Sequence, residues 1–172
     1  MLTGKEILKQ IKKGNIKIEP FNLKQLNPNS YNVTLNKELL VYDCDVLDLK
    51  KSNPTKKIII PDEGLVLEPG VLYLGRTNEY TETDNLVPCI DGRSSIGRLG
   101  LFIHVTAGFG DVGFKGTWTL EIQCIQPIRI YPNIEIGQLH YERIQGKKTY
   151  YKGKYLGQID AQKSKMDEDF NK

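Results

Sequence analysis

Punctuation constrains this chain more than any other feature. Short runs rich in β-branched and aromatic residues recur at fairly regular intervals, separated by Gly, Pro, Asn and Asp. The runs fall at 31–35, 38–42, 57–60, 65–67, 71–76, 86–90, 102–105, 116–124, 128–130 and 138–143. None is long enough for a packed helix, and many short strands with turn chemistry between them define an all-β sandwich or barrel-like domain. The exception is the start. Thr3 and Glu6 fit a capping box, Ile7, Leu8 and Ile11 form one apolar stripe, and Gly14 is a natural stop, so a single short helix is predicted there. With 172 residues and no internal repeat, residues 1–172 read as one domain with a sizeable core.

The composition excludes several classes of function. Hydrophobic residues at 39% and charged residues at 26% suit an ordinary soluble domain. No apolar run approaches the roughly 18–20 residues that would cross a bilayer. Lysines 5, 9, 12 and 13 interrupt the N-terminus where a secretory signal would need an unbroken apolar stretch. A cytoplasmic location is therefore expected, with no membrane partner. Cys44, Cys89 and Cys124 are an odd number at wide spacings, which predicts reduced, buried thiols rather than a disulfide framework. A net charge of +3, scattered among acids, does not point to nucleic acid.

Three places can carry chemistry. The run from Arg93 to Arg98 interrupts the strand rhythm, with Ser95 placed to cap one helical turn, Ile96 and Leu99 directed inward, and Gly100 ending it. Hydroxyls of Ser94 and Ser95, unpaired N–H groups and two guanidinium groups together suit an anion. The run from Ala107 to Gly116 holds glycines and Asp111, as expected of a tight hairpin that a ligand can approach closely. In the third, alternation puts Trp118, Leu120 and Ile122 on one face of a strand and Thr117, Thr119, Glu121 and Gln123 on the other. A carboxylate on a non-core face, in a partly dry groove, is a natural general base. Each place also has an ordinary explanation: a capped turn with surface arginines, a turn aspartate, an exposed strand residue. From about residue 146 onward the composition turns to Lys, Gly, Gln, Asp and Tyr, which alone reads as a flexible tail.

Zinc deaminases need H-x-E (or C-x-E) followed by P-C-x-x-C. Here neither His104 nor His140 has a Glu two residues on, and Pro88-Cys89 lacks its second Cys, so zinc is not expected. Both histidines sit in strand-like runs and read as structural groups.

The stretch from Gly92 to Ile122, GRSSIGRLGLFIHVTAGFGDVGFKGTWTLEI, resembles the central signature of dCTP deaminases, a branch of the dUTPase-like superfamily. LTGKEI near the start, NPNSYNVTL at 27–35 and KYLGQ at 154–158, followed by Ser164, match that family in the same order. The resemblance implies a dUTPase-like distorted β-barrel or jelly-roll, a phosphate-binding helical turn and a nucleotide-covering tail at about 146–172. It implies a homotrimer whose sites lie between subunits, and a magnesium ion carried on the substrate phosphates. By the same resemblance Glu121 is the catalytic carboxylate, Ser94 and Arg98 lie by the attacking water, and Asp111 lies near the deoxyribose. Arg93, Ser94, Ser95, Lys154 and Gln158 would meet the triphosphate and Tyr151 the nucleotide, while the backbone of Ala107 and of Thr119, Leu120 and Glu121 would read the base.

The chain departs from the family pattern at Asn32 and Thr34, which usually hold Asp and Arg, and at the turn Gly110-Asp111-Val112-Gly113. Gly108-Phe109 resembles members that also cleave the triphosphate, with Asp111 activating water for that step. Either dUTP or dUMP is thus an open product, and inhibition by dTTP through residues 104–106 is a further expectation. A dUTP diphosphatase without deaminase activity and a non-catalytic nucleotide-binding barrel are the competing readings. Glu121 within T-L-E separates the first of them from a deaminase. The second would have lost Glu121, Arg98 or the tail pair Lys154 and Gln158, all of which are present.

Overall fold

The computed structural model describes residues 1–104 and 106–171. Helix α1 (Gly4–Lys12) opens the chain with Thr3 as N-cap, its hydroxyl accepting from the Glu6 N–H at 3.3 Å. The reciprocal half of the capping box is replaced, since the Glu6 carboxylate accepts from Gln10 Nε2 at 2.7 Å. Gly14, at φ +75°, donates back to Ile11 O and stops the helix where the sequence places the stop.

The strands follow in order: β1 (Ile16–Glu19), β2 (Tyr31–Thr34), β3 (Glu38–Tyr42), β4 (Thr55–Ile59), β5 (Leu65–Leu67), β6 (Tyr73–Arg76), β7 (Tyr80–Thr83) and β8 (Leu86–Gly92). After helix α2 (Ser94–Gly97) come β9 (Leu101–Phe102), β10 (Lys115–Gly116), β11 (Thr119–Cys124), β12 (Ile128–Ile130) and β13 (Glu135–Arg143). Among the described residues they form four antiparallel sheets, ordered β1-β7-β10, β4-β3-β6-β11-β9, β12-β5 and β2-β13-β8, and none closes on itself. The fold is mostly β, as expected. The strand anticipated at 102–105 is limited to β9, and Val105 lies outside the described residues.

Alternation builds the core. Along β13, Ile136, Leu139 and Tyr141 point inward and meet Tyr31, Val33 and Ile90 from its two neighbours. From the other sheet Leu39, Leu120 and Ile122 join them with almost no exposure. Each such Leu or Ile contributes about 1.5–3 kcal/mol relative to an exposed one. Around Asn32 and Thr34 the polar groups are held by two carboxylates. Glu79, 1% exposed, accepts from Thr34 N (2.8 Å), Thr34 Oγ1 (3.0 Å) and Gln25 Nε2 (2.9 Å). Asn32, also buried, donates to Glu135 at 2.8 Å.

Among its described residues the tail carries no strand, yet it is more closely held than its composition implies. Tyr151 N donates to Val112 O, Gly157 N to Lys115 O and Thr117 N to Gln158 O, at 2.7–2.9 Å. Residues 151–164 therefore form a strap across the strand ends. Of the three thiols only Cys124 is buried as expected, while Cys89 is half-buried and Cys44 lies exposed in the loop after β3. The expectation of buried thiols fails at Cys44 because the loop from 43 to 50 is mostly exposed.

Candidate active site

Strand β11 is the floor of the site. Thr119 and Glu121 face away from the core, opposite Arg76 and Leu74 of β6, while Trp118, Leu120 and Ile122 face inward. The predicted alternation therefore holds, except that Thr117 is also buried, under the strap. Above this floor lies a cavity of about 400 Å³. That volume falls within the roughly 300–1,000 Å³ of small-molecule sites.

One wall is the segment from Ala107 to Asp111. Asp111 begins a β-turn closed by Phe114 N donating to Asp111 O at 3.1 Å, with Gly113 at φ +84° in the third position as a type II turn requires. The expected hairpin is not formed. Phe109 bridges to Cys89 of β8, whereas β10 pairs with β7, so the two flanks go to different partners. The glycines serve close packing as well as approach by a ligand. A Cβ on Gly110 would lie 2.7 Å from the Trp118 ring. Phe114 stacks at an angle on Trp118, with centroids 4.9 Å apart, and Tyr151 lies 6.2 Å beyond, giving the cavity an aromatic end.

The opposite wall is the strap. Gln158 donates to Thr117 O at 2.7 Å and lies 3.4 Å from Thr119 Oγ1, which also accepts from Gln162 N at 3.1 Å. Ser164 N donates to the Tyr42 hydroxyl at 3.0 Å. Arg76 reaches Asp160 at 3.7 Å, tying the strap to β6.

Of the residues singled out in the sequence, Ala107, Asp111, Thr119, Glu121, Tyr151 and Gln158 meet around this one cavity. Leu120 does not line it, since its side chain is 1% exposed and in the core. Lys154 does not line the cavity. Its ammonium donates to Lys165 O and to Asp169, each at 2.7 Å, and the Asp169 hydrogen bond holds its pKa above the usual lysine value. Arg93 pairs with Glu135 at 3.0 Å and also donates to its carbonyl. Ser94 and Ser95 on α2, and Arg98 just after it, are exposed and away from the cavity lining. The helical turn starts two residues earlier than predicted, with Arg93 instead of Ser95 as the capping position and no side-chain cap. Ile96 packs inward, but Leu99 is 58% exposed, because the chain has left the helix and turns at Gly100, φ +75°.

Sequence reasoning missed Tyr42, Leu72, Leu74, Tyr155, Gln162 and Lys163 as cavity residues. Tyr42 had a legible signal, since it alternates out of β3, whereas Leu74 is buried in β6, which shows no such alternation. The strap residues had none, being placed by backbone hydrogen bonds. His104 and His140 are structural, as expected, with Nε2 groups at Ile90 O (2.8 Å) and Asp91 (3.0 Å). Residue 105 of the anticipated 104–106 inhibitory segment lies outside the described residues. No group of three His, Cys, Asp or Glu side chains among the described residues could hold a metal ion, and no described helix is long and apolar enough to cross a membrane.

Comparison with known proteins accords with this geometry. The model of the dCTP deaminase-like family matches residues 1–144. A protein named "dCTP deaminase, dUMP-forming" from Clostridium beijerinckii is 61% identical over 173 residues, covering 100% of this chain and 99% of that one. One of the same name from Leptospira biflexa is 58% identical over the same span. Among solved structures, the 2′-deoxycytidine 5′-triphosphate deaminase from Agrobacterium tumefaciens superposes with TM-score 0.63 at 18% identity. The match covers 81% of this chain and 46% of that longer one, a likeness of fold. This chain belongs to the dCTP deaminase-like family.

Proposed function

We propose that the chain hydrolyses dCTP to dUTP and ammonia and carries the product on to dUMP and diphosphate, in the cytoplasm, as a homotrimer. The observation that carries this reading is the position of Glu121 between the Asp111 turn and the strap, with no ion pair to the carboxylate among the described residues. The full-length relatives named as dUMP-forming enzymes support the second step. The unpaired thiols suit a reducing compartment.

In the first step Glu121 takes a proton from water as its oxygen bonds to C4 of cytosine, and passes that proton to N3. The second water proton goes through the same carboxylate to the amino group. The C4–N bond then breaks, ammonia leaves, and C4 becomes a carbonyl. A single carboxylate suffices for this relay. The peptide groups of Ala107 and of 119–121 read the base edge, and Tyr151 covers the nucleotide. In the second step Asp111 removes a proton from water attacking the α-phosphorus, and diphosphate leaves.

Ser94 and Ser95 on α2, with Arg98 just after it, are exposed and fit a role at the cleft of a neighbouring chain, where their donors meet an anion. Arg93 is held by Glu135 and orients that turn. A magnesium ion fits as a passenger on the phosphates, since a hard cation of this kind needs few protein ligands and the cleft offers Asp111 as an exposed carboxylate. It would neutralise phosphate charge.

The test is to incubate the protein with dCTP and Mg²⁺, in parallel with Glu121→Gln and Asp111→Asn, and to resolve the nucleotides by chromatography. Wild type should yield dUMP, Glu121→Gln should leave dCTP intact, and Asp111→Asn should stop at dUTP. Unchanged deamination by Glu121→Gln would refute the assignment.

A further inference from the structure

Arg93 is held by more than one ion pair. The register of β13 against β2 shifts between Glu135 and Gly137, so that Ile136 has no partner there. An irregularity of this kind re-aims the side chains beside it. Here Ile136 O accepts from Arg93 N at 3.4 Å, and the Glu135 carboxylate meets Arg93 Nη1 at 3.0 Å. Glu135 O accepts from the same Nη1 at 3.1 Å. Backbone and side chain together thus fasten the start of the 93–98 turn to one strand end.

The carboxylate is itself anchored. Asn32, 5% exposed, donates from Nδ2 to the same oxygen, Glu135 Oε2, at 2.8 Å, and its own Oδ1 accepts from Asn27 Nδ2 at 2.7 Å. A line of fixed partners therefore runs from 27 through 32 and 135 to Arg93, and it ends on Nη1. The Nε and Nη2 groups make no hydrogen bond among the described residues, and the side chain is 34% exposed. Those two nitrogens form the side edge of the guanidinium, which can donate in parallel to two oxygens of one phosphate. Neither Asn32 nor Glu135 lines the cavity.

Building on the proposed function, in which this turn serves the cleft of a neighbouring chain, we propose that Glu135 is a positioning residue. Through Arg93 it presents the free guanidinium edge to the phosphate oxygens of the bound nucleotide. By charge alone Glu135 would hinder binding, since a carboxylate repels phosphate. Its positioning effect has the opposite sign, because a long side chain already held in place need not be ordered when the ligand arrives.

That opposition of signs makes the test sharp. Binding can be read without turnover by titrating the Glu121→Gln protein calorimetrically with dCTP, in Mg²⁺. In this background Arg93→Met should weaken binding about 10- to 100-fold, as loss of charge-assisted hydrogen bonds does. Glu135→Gln removes a negative charge and keeps the side-chain shape, yet it should weaken binding about 3- to 10-fold, the equivalent of ordering one long side chain. Added to Arg93→Met, the same Glu135→Gln change should alter binding less than about twofold, because the residue it acts through is gone. Unchanged or tighter dCTP binding by Glu135→Gln would overturn the inference. So would an equal loss with and without Arg93, which a mere prop for the fold, or a variant that fails to fold, would give. Arg93→Met protein that binds dCTP like its parent would also overturn it, and leave the deaminase reading standing. Failure of the Glu121→Gln parent to bind dCTP at all would sink that reading, and this inference with it.

Discussion

The strap can be released by adding one methyl group. Gly116 sits at φ +148°, and a Cβ there would lie 2.6 Å from Gln158 O and 3.1 Å from Gln158 Cγ. Ordinary contact begins at 3.4 Å, so a backbone oxygen, which is no flexible side-chain end, must retreat by about 0.8 Å. That oxygen accepts from Thr117 N at 2.9 Å, beside Gly157 N to Lys115 O at 2.7 Å and Gln158 Nε2 to Thr117 O at 2.7 Å. Gly116→Ala thus costs about 1–3 kcal/mol of backbone strain, plus up to about 1 kcal/mol for each weakened hydrogen bond. The strap should therefore undock at a penalty of about 2–4 kcal/mol relative to wild type. Hydrogen exchange of amides in residues 155–164 should speed up about 30- to 1,000-fold, while amides of β8 and β13 keep their protection. Deaminase turnover should fall with strap protection. Strap amides as protected as in wild type would refute the reasoning, and so would a loss of protection spread evenly over β8 and β13.

Three further outcomes follow from the same geometry. Glu79→Ala strands the buried Thr34 N–H and one Gln25 amide proton and leaves a cavity, so urea unfolding should show a loss of about 3–5 kcal/mol; a loss under 1 kcal/mol would contradict it. Burial pushes the Tyr141 phenol far above its ordinary pKa, with nearby Tyr31 adding to the effect. A raised folded pKa gives stability that is whole below the unfolded value of about 10 and lost as pH climbs past it. Tyr141→Phe should flatten the alkaline arm of the stability profile, and an unchanged arm would show the phenol is not its source. Finally, Glu121→Gln and Arg98→Ala proteins, each inactive alone, should regain activity when unfolded together and refolded. If sites are shared between neighbours, about one quarter of them in a 1:1 mixture carry both native groups. No recovery would place both residues in one chain's site.

Much of this architecture could be read from residue patterns, and the failures have physical causes. The capping pair Thr3 and Glu6 and the alternation through β11 are local, so the sequence carried them, including the outward face of Glu121. Strands β1 and β7 escaped because Ile16–Glu19 has only two apolar positions and Tyr80–Thr83 is largely polar. Both are strands because they pair with each other and β7 with β10. The strap looked loose because backbone groups hold it, and composition does not record them. Leu99 was read as inward on helical spacing that ends before it. The site residues Arg93 to Arg98 were visible as chemistry, but their separation from the Glu121 cleft is a tertiary fact.

The most direct test of the central claim follows one sample of dCTP labelled with ¹⁵N at the amino group, by NMR, with Mg²⁺ present. Labelled ammonium, dUMP and diphosphate should appear in equal amounts, with no lag between ammonium and dUMP. Labelled dCTP that persists while added dUTP is cleaved to dUMP would contradict it, leaving a diphosphatase in which Glu121 is only a strand residue.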